Sequence, residues 1–254
     1  MKILLIIHGL VRPNLDSVLE IKRVLLENFK EYECHTLLST WFNDQGLDQD
    51  SKHYELDIDE IKSNFNYYLI DKQPTKNELL SQIKSLPSLD ISKNTHLSNI
   101  YGYFHFYKKN NLIANLFQDY DYYVFCRSDL KIIVRDIKLQ KFSLPKLFWK
   151  NNGNTNELND HFFISNKDTF LKVFKELSID NINELCYLDS PEKVFTELIK
   201  RNVTEFNIIE NNCIEEYYIV REYRKWEQSD LDEVGRDSTQ VSIDNSLNIK
   251  RSKK

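Results

Sequence analysis

The stretch KILLIIHGLVRPNLDSVLEIKRVLLENFKEYECHTLLSTW, residues 2–41, decides the fold. Ile3–Ile7 is a continuous apolar run closed by Gly9, the pattern of a central strand buried on both faces. Asn14 or Asp16 offers a cap, and Val18, Ile21, Leu25, Leu26 and Phe29 then recur at helical spacing. Cys34–Thr40 returns as a second short strand and ends at Trp41. Strand, helix and strand in immediate succession form a βαβ opening. Parallel neighbours need such a crossover, so the opening predicts a parallel sheet.

Outward from this unit the text is less regular. From Phe42 to about Asp90 we expect an irregular, ligand-facing stretch. Within it, Glu55–Ile61 reads as a short strand or a helix start, Tyr67–Ile70 is a short apolar run, and Lys76–Ser85 reads as a modest helix. Leu97, Ile100, Tyr101, Phe104, Tyr107, Leu112 and Leu116 predict one long amphipathic helix over Thr95–Phe117. Tyr122–Cys126 is a second wholly apolar strand. Leu144–Trp149 and His161–Ser165 read as short strands flanking the Asn/Gly-rich segment Asn151–Asn159. Helices follow over Lys167–Leu177 and Pro191–Arg201, with closing strands at Phe206–Ile209 and Tyr217–Val220. The expected organisation is one α/β domain over residues 1–227, with a mixed, mostly parallel sheet flanked by helices. Residues 228–254 are polar and without periodicity, and read as a disordered tail.

Composition narrows the function. A formal net charge of −5 gives no general attraction to nucleic acid or anionic lipid. A phosphate-bearing ligand must therefore be held locally. Four widely spaced cysteines form neither a metal knuckle nor a disulfide framework, so reduced thiols are expected. The first apolar run is shorter than a signal-peptide core and no stretch has membrane-spanning length, which points to the cytosol. Peripheral membrane contact remains open. Lys108-Lys109 and Arg221–Lys225 read as solvated basic clusters, and Tyr107 as a packing residue.

Three segments carry the types of side chain that chemistry needs. In Tyr120–Leu130 a buried strand delivers Arg127 and Asp129 together at its C-terminal end, where ligands lie in an open α/β sheet. Asp129 there can hold a divalent cation bridging two phosphates, and Arg127 can pair with a phosphate or orient the carboxylate. The same two residues also suit a structural ion pair after a strand. In Leu158–Ser165, Asp160 can act as a general base on a hydroxyl, and His161 can do so or ligate a metal. Their plainer reading is a turn cap beside a half-buried histidine. At the end of the first strand Gly9 permits close backbone approach, and Arg12 can neutralise a phosphate. Serine-hydrolase, zincin and P-loop motifs are absent from the sequence.

Taken in order, Gly9-Leu10-Val11-Arg12, Leu38-Ser39-Thr40-Trp41, Tyr120-Asp121-Tyr122-Tyr123-Val124, Arg127-Ser128-Asp129-Leu130 and Asn159-Asp160-His161-Phe162 resemble bacterial and viral glycosyltransferase-like proteins with a GT-A-type fold. These are linked to lipopolysaccharide, capsule or surface-glycan synthesis. The resemblance spans about residues 2–220 and rests on order and spacing. It implies a nucleoside-diphosphate-sugar donor, Mn²⁺ or Mg²⁺, and a glycan or lipid-linked glycan acceptor. Asp129 takes the metal position, Gly9, Arg12 and Arg127 lie along the donor, and Asp160 faces the acceptor. One departure stands out. Such enzymes commonly carry two acids separated by one residue, and Arg127 occupies the first acidic position here. Three alternatives stay open: a non-catalytic nucleotide- or sugar-binding module, a metal-dependent phosphotransferase or hydrolase, and an interaction protein in which Arg127 and Asp129 pair with each other.

Overall fold

Lys2–His8 forms β1, and Glu33–Phe42 forms β2 beside it in parallel, with Ile3 opposite Cys34 and His8 opposite Ser39. Helix α1, Leu15–Asn28, makes the crossover. Asn14 caps it from an extended conformation, its side-chain oxygen accepting the Ser17 backbone N–H. The opening βαβ unit is thus as its apolar pattern predicts. The structure is a computed structural model that describes residues 1–11, 14–42, 56–72, 107–134, 137–145, 158, 160–175, 177, 191–209 and 214–219. Arg12, the helix expected at 76–85, residues 95–106 of the aromatic helix, the segment 151–157 and the tail from 228 lie outside the described residues.

The remaining elements build outward from β1. Helix α2, Ile58–Asn64, is capped by Asp57, which accepts from the backbone N–H groups of Asp59 and Glu60. It leads into β3, Tyr67–Lys72, parallel to β2 at the sheet edge. Helix α3, described over 107–116, precedes β4, Tyr122–Arg127, which pairs in parallel with the other side of β1. Then come β5 (Leu130–Val134), β6 (Phe142–Pro145), β7 (Phe162–Asn166), α4 (Lys167–Phe174), α5 (Pro191–Asn202), β8 (Asn207–Ile209) and β9 (Ile214–Ile219). The main sheet has the order β3-β2-β1-β4-β7-β6-β8, and β5 pairs with β9 in a separate antiparallel ribbon. Strand β7 runs antiparallel to both β4 and β6, whereas the other pairings of the main sheet are parallel. The fold is α/β, with a mixed and mostly parallel sheet.

Alternation along the strands divides the core between the two faces. Ile3, Leu5, Ile7, Val124 and Cys126 pack with Val18, Ile21 and Leu25 of α1 and Ile61 of α2. Leu4, Ile6, Leu37, Tyr123, Phe125 and Phe163 pack with Ile113 and Ala114 of α3, and with residues of α4 and α5. Aromatic rings dominate this second face, with Phe125 stacked on Phe163 at 4.8 Å and Tyr123 on Phe170 at 4.1 Å. Each such fully buried ring contributes about 1.5–3 kcal/mol from burial alone. Asn111 of α3 donates to the Phe174 and Lys175 carbonyls, tying α3 to the C-terminal end of α4. Among the described residues no helix is long and apolar enough to cross a membrane.

The chain order reverses at the centre of the main sheet. From β1 the chain moves to β2 and β3 on one side, then returns to place β4 on the other. The seam between the C-terminal ends of β1 and β4 is therefore a topological switch point, the place where open α/β sheets hold ligands.

Candidate functional site at the carboxyl edge of the sheet

The strands that pack Ile6, Leu37, Leu69 and Phe125 against the α3 side carry polar or aromatic residues further along that face. These are His8 on β1, Ser39 and Trp41 on β2, Asp71 on β3 and Arg127 on β4. The register joins them laterally, His8 opposite both Ser39 and Arg127, and Trp41 opposite Asp71. His8 is buried, its ring 5.5 Å from that of Trp41 and 5.4 Å from that of Phe125. Its Nδ1 lies 3.3 Å from the Ser39 hydroxyl. Sequence reasoning assigned His8 no role. Its place two positions beyond Ile6 on a buried strand was the available signal.

Gly9 is required here for two reasons. Its φ is +127°, a region that side-chain-bearing residues rarely adopt. A Cβ there would also lie 2.6 Å from the Ser128 hydroxyl oxygen. The group that closely approaches Gly9 is thus the turn after β4. Ser128 donates its backbone N–H to the His8 carbonyl at 2.8 Å and its hydroxyl to the Leu10 carbonyl at 2.6 Å. Gly9 donates its own N–H to the Ser39 carbonyl at 3.0 Å.

Arg127 and Asp129 are bonded to each other. Arg127 Nε donates to Asp129 Oδ1 at 3.0 Å and Nη2 to Oδ2 at 2.9 Å, a bidentate pair. The Asp129 side chain is 3% exposed and that of Arg127 24%, so the carboxylate is sealed beneath a partly exposed arginine. Among the described residues no group of three or more His, Cys, Asp or Glu side chains gathers as a cation site.

Asp160 and His161 reach the same edge because β7 runs against β4 and therefore begins where β4 ends. Arg127 donates its backbone N–H to the His161 carbonyl at 2.9 Å. Both Asp160 and His161 are buried, and His161 Nε2 lies 3.3 Å from Asp160 Oδ1. Leu158, just upstream, donates its N–H to the Thr196 hydroxyl of α5 at 2.7 Å, which anchors this segment to the helix layer. Four of the residues singled out in sequence, Arg127, Asp129, Asp160 and His161, therefore flank the β4 end, with Gly9 at the adjoining turn.

Lys109 corrects the sequence reading. It was expected on a solvated face beside Lys108, and only Lys108 is exposed. Lys109 is 2% exposed and reaches from α3 to the ends of β2 and β3. Its ammonium donates to the Thr40 carbonyl at 2.8 Å and the Leu69 carbonyl at 3.3 Å, and lies 2.7 Å from Asp71 Oδ2. Burial pushes its pKa down, against the opposing pull of Asp71. Its spacing of four from buried Ile113 places it on the inner face of the helix, a signal available in the sequence. Cys126 is wholly buried, and desolvation pushes its thiol well above the usual range.

No protein-family model matches the chain, and no curated protein matches it in sequence. Among solved structures the chain is similar to the glycosyltransferase GlyE of Streptococcus pneumoniae TIGR4. The identity is 8%, over 83% of this chain and 45% of that one, with a TM-score of 0.42. It is also similar to LgtC, crystallised as an active-site mutant, with 12% identity over 83% of this chain and 73% of that one and a TM-score of 0.45. A third similar structure is a glycosyltransferase involved in the glycosylation of the major capsid of PBCV-1. There the identity is 10% over 83% of each chain, with a TM-score of 0.35.

Proposed function

We propose that the chain is a cytosolic glycosyltransferase that moves a sugar from a nucleoside-diphosphate sugar to a hydroxyl of a glycan or lipid-linked glycan acceptor, in the making of a surface polysaccharide. One observation carries the reading: the switch point between β1 and β4 holds a partly exposed arginine, with a buried Asp–His pair immediately before the neighbouring strand. An anion-binding group at the same sheet edge as a candidate base suits inverting transfer from a phosphate leaving group, whereas a retaining route needs no such base. The order of motifs in the sequence supports glycosyl transfer among such reactions.

In the inverting version the acceptor oxygen bonds to the anomeric carbon as the bond from that carbon to the diphosphate oxygen breaks. The electron pair leaves with the diphosphate, where Arg127 offsets the developing charge. The acceptor proton passes to Asp160, whose Oδ1 lies 3.3 Å from His161 Nε2. Enzymes of the resembled kind commonly use a divalent cation at the diphosphate. The residues present do not fit one at Asp129, because both of its oxygens are engaged by Arg127. No step is routed through a cation.

The test is a thermal-shift screen with nucleoside diphosphates and diphosphate sugars, followed by a transfer assay. A ligand at ~100 times its dissociation constant should add roughly 2.7 kcal/mol of stability. Asp160→Asn should keep donor binding and lower turnover by about 10²–10⁴-fold. No shift with any nucleotide would sink the reading. The mutual Arg127–Asp129 pair favours a second one, an interaction protein without nucleotide affinity, which predicts no shift with any nucleotide.

A further inference from the structure

We propose that Arg127, seated on Asp129, takes the place of a divalent cation at this edge, so that donor binding needs no divalent metal. The inference rests on the transferase reading only in taking a nucleoside diphosphate as the ligand. It starts from how the carboxylate is used. Both oxygens of Asp129 accept from the guanidinium, at 3.0 and 2.9 Å, and its side chain is 3% exposed. A cation entering there would have to displace a bidentate partner and then sit beside the positive charge it had displaced. Like charges at that separation repel strongly away from bulk water.

The arginine has the properties that the vacated role requires. Its backbone is fixed on both sides, opposite His8 on β1 and hydrogen-bonded to the His161 carbonyl beside β7. Its side chain is fixed by Asp129, so little rotamer freedom is left to lose when a ligand arrives. A guanidinium is charged at every accessible pH and matches phosphate oxygens as a planar fork. The Arg127 side chain is 24% exposed, at the seam where ligands lie. Asp129 is then a positioning residue. It is the more deeply buried member of the pair and holds the arginine side chain through two hydrogen bonds.

The experiment is calorimetric titration of the full chain with UDP, GDP, ADP, CDP and dTDP, in EDTA and in millimolar Mg²⁺ or Mn²⁺. The expected result is a Kd for one nucleotide that agrees within about two-fold across all three conditions. Arg127→Ala should weaken it by about 10–100-fold in each, the scale of a hydrogen-bonded charge. Arg127→Lys should fall between, since it keeps the charge and loses the fork. Asp129→Asn should weaken binding less than Arg127→Ala and leave it cation-independent. If Arg127→Ala does not fold, Arg127→Lys and the wild-type comparison decide. A Kd at least ten-fold weaker in EDTA, with the difference abolished in Asp129→Asn, would overturn the proposal and leave the transferase reading standing. Wild-type affinity in the folded Arg127 variants would overturn it equally. Absence of binding by any nucleotide under every condition overturns both.

Discussion

Gly9 and Ser128 meet across the seam between β1 and β4, and the contact is close enough to be tested by a single methyl. Gly9→Ala adds a Cβ 2.6 Å from the Ser128 hydroxyl at a backbone φ of +127°. A strained backbone of this kind costs about 1–3 kcal/mol before the clash is counted. The expected outcome is a lowered urea midpoint, recovered only in part by Gly9→Ala/Ser128→Gly, which relieves the clash but not the φ. Lys109 permits a second test. Lys109→Met leaves the Thr40 and Leu69 carbonyls without their buried donor and removes the partner of Asp71. A loss of about 2–4 kcal/mol is expected by chemical denaturation, toward the lower end because Asp71 is largely exposed. Residues such as Arg127, Asp129, Asp160 and His161 were legible in sequence because each stands beside a recognisable apolar strand. Lys109 and Asp71 were not, since what gathers them is the packing of α3 over strand ends far apart in the chain.

Elements follow the same division. The central strands β1 and β4 read directly as apolar runs because both of their faces are covered. Edge strand β3, Tyr-Tyr-Leu-Ile-Asp-Lys, is exposed or half-exposed along its whole length, and its apolar run stops at Ile70. The sequence marked only part of it. Strand β5 was not anticipated, because its partner β9 lies more than eighty residues later and no local pattern announces the pairing. The helices that were found owe much to their caps. Asn14→Ala should destabilise α1 by about 1 kcal/mol, read as a lower melting temperature. Asn166 plays the same part for α4, accepting the Thr169 N–H at 3.0 Å, and its replacement by Ala should cost a similar ~1 kcal/mol. Asn111→Leu should loosen α3 from α4 without touching either cap, and faster hydrogen exchange at the α4 C-terminal end is its signature.

At the scale of the whole molecule the buried acids set the alkaline limit. Burial raises the pKa of Cys126 and of Tyr120 and Tyr123. An acid whose folded pKa is raised keeps its proton in the native state after the unfolded chain has released it. The unfolded state then binds fewer protons, so stability is complete below the ordinary thiol value and falls as pH rises above it. Lys109 and Lys22, with their pKa values lowered by burial, act in the opposite direction within the same range and are outnumbered among the described residues. Denaturation midpoints should therefore decline from about pH 8.5 upward, and Cys126→Ala should flatten the first part of that decline. A midpoint that rises through this range would contradict the burial of these groups. The carboxyl edge of the sheet has one further consequence. Its successive strand ends are tied by main-chain bonds, Gly9 to Ser39, Ser128 to His8 and Arg127 to His161. Apart from Gly9, whose conformation requires the lack of a side chain, these bonds use no side-chain atom. Mutation over evolutionary time can therefore change the side chains this edge presents while leaving the strand ends in place.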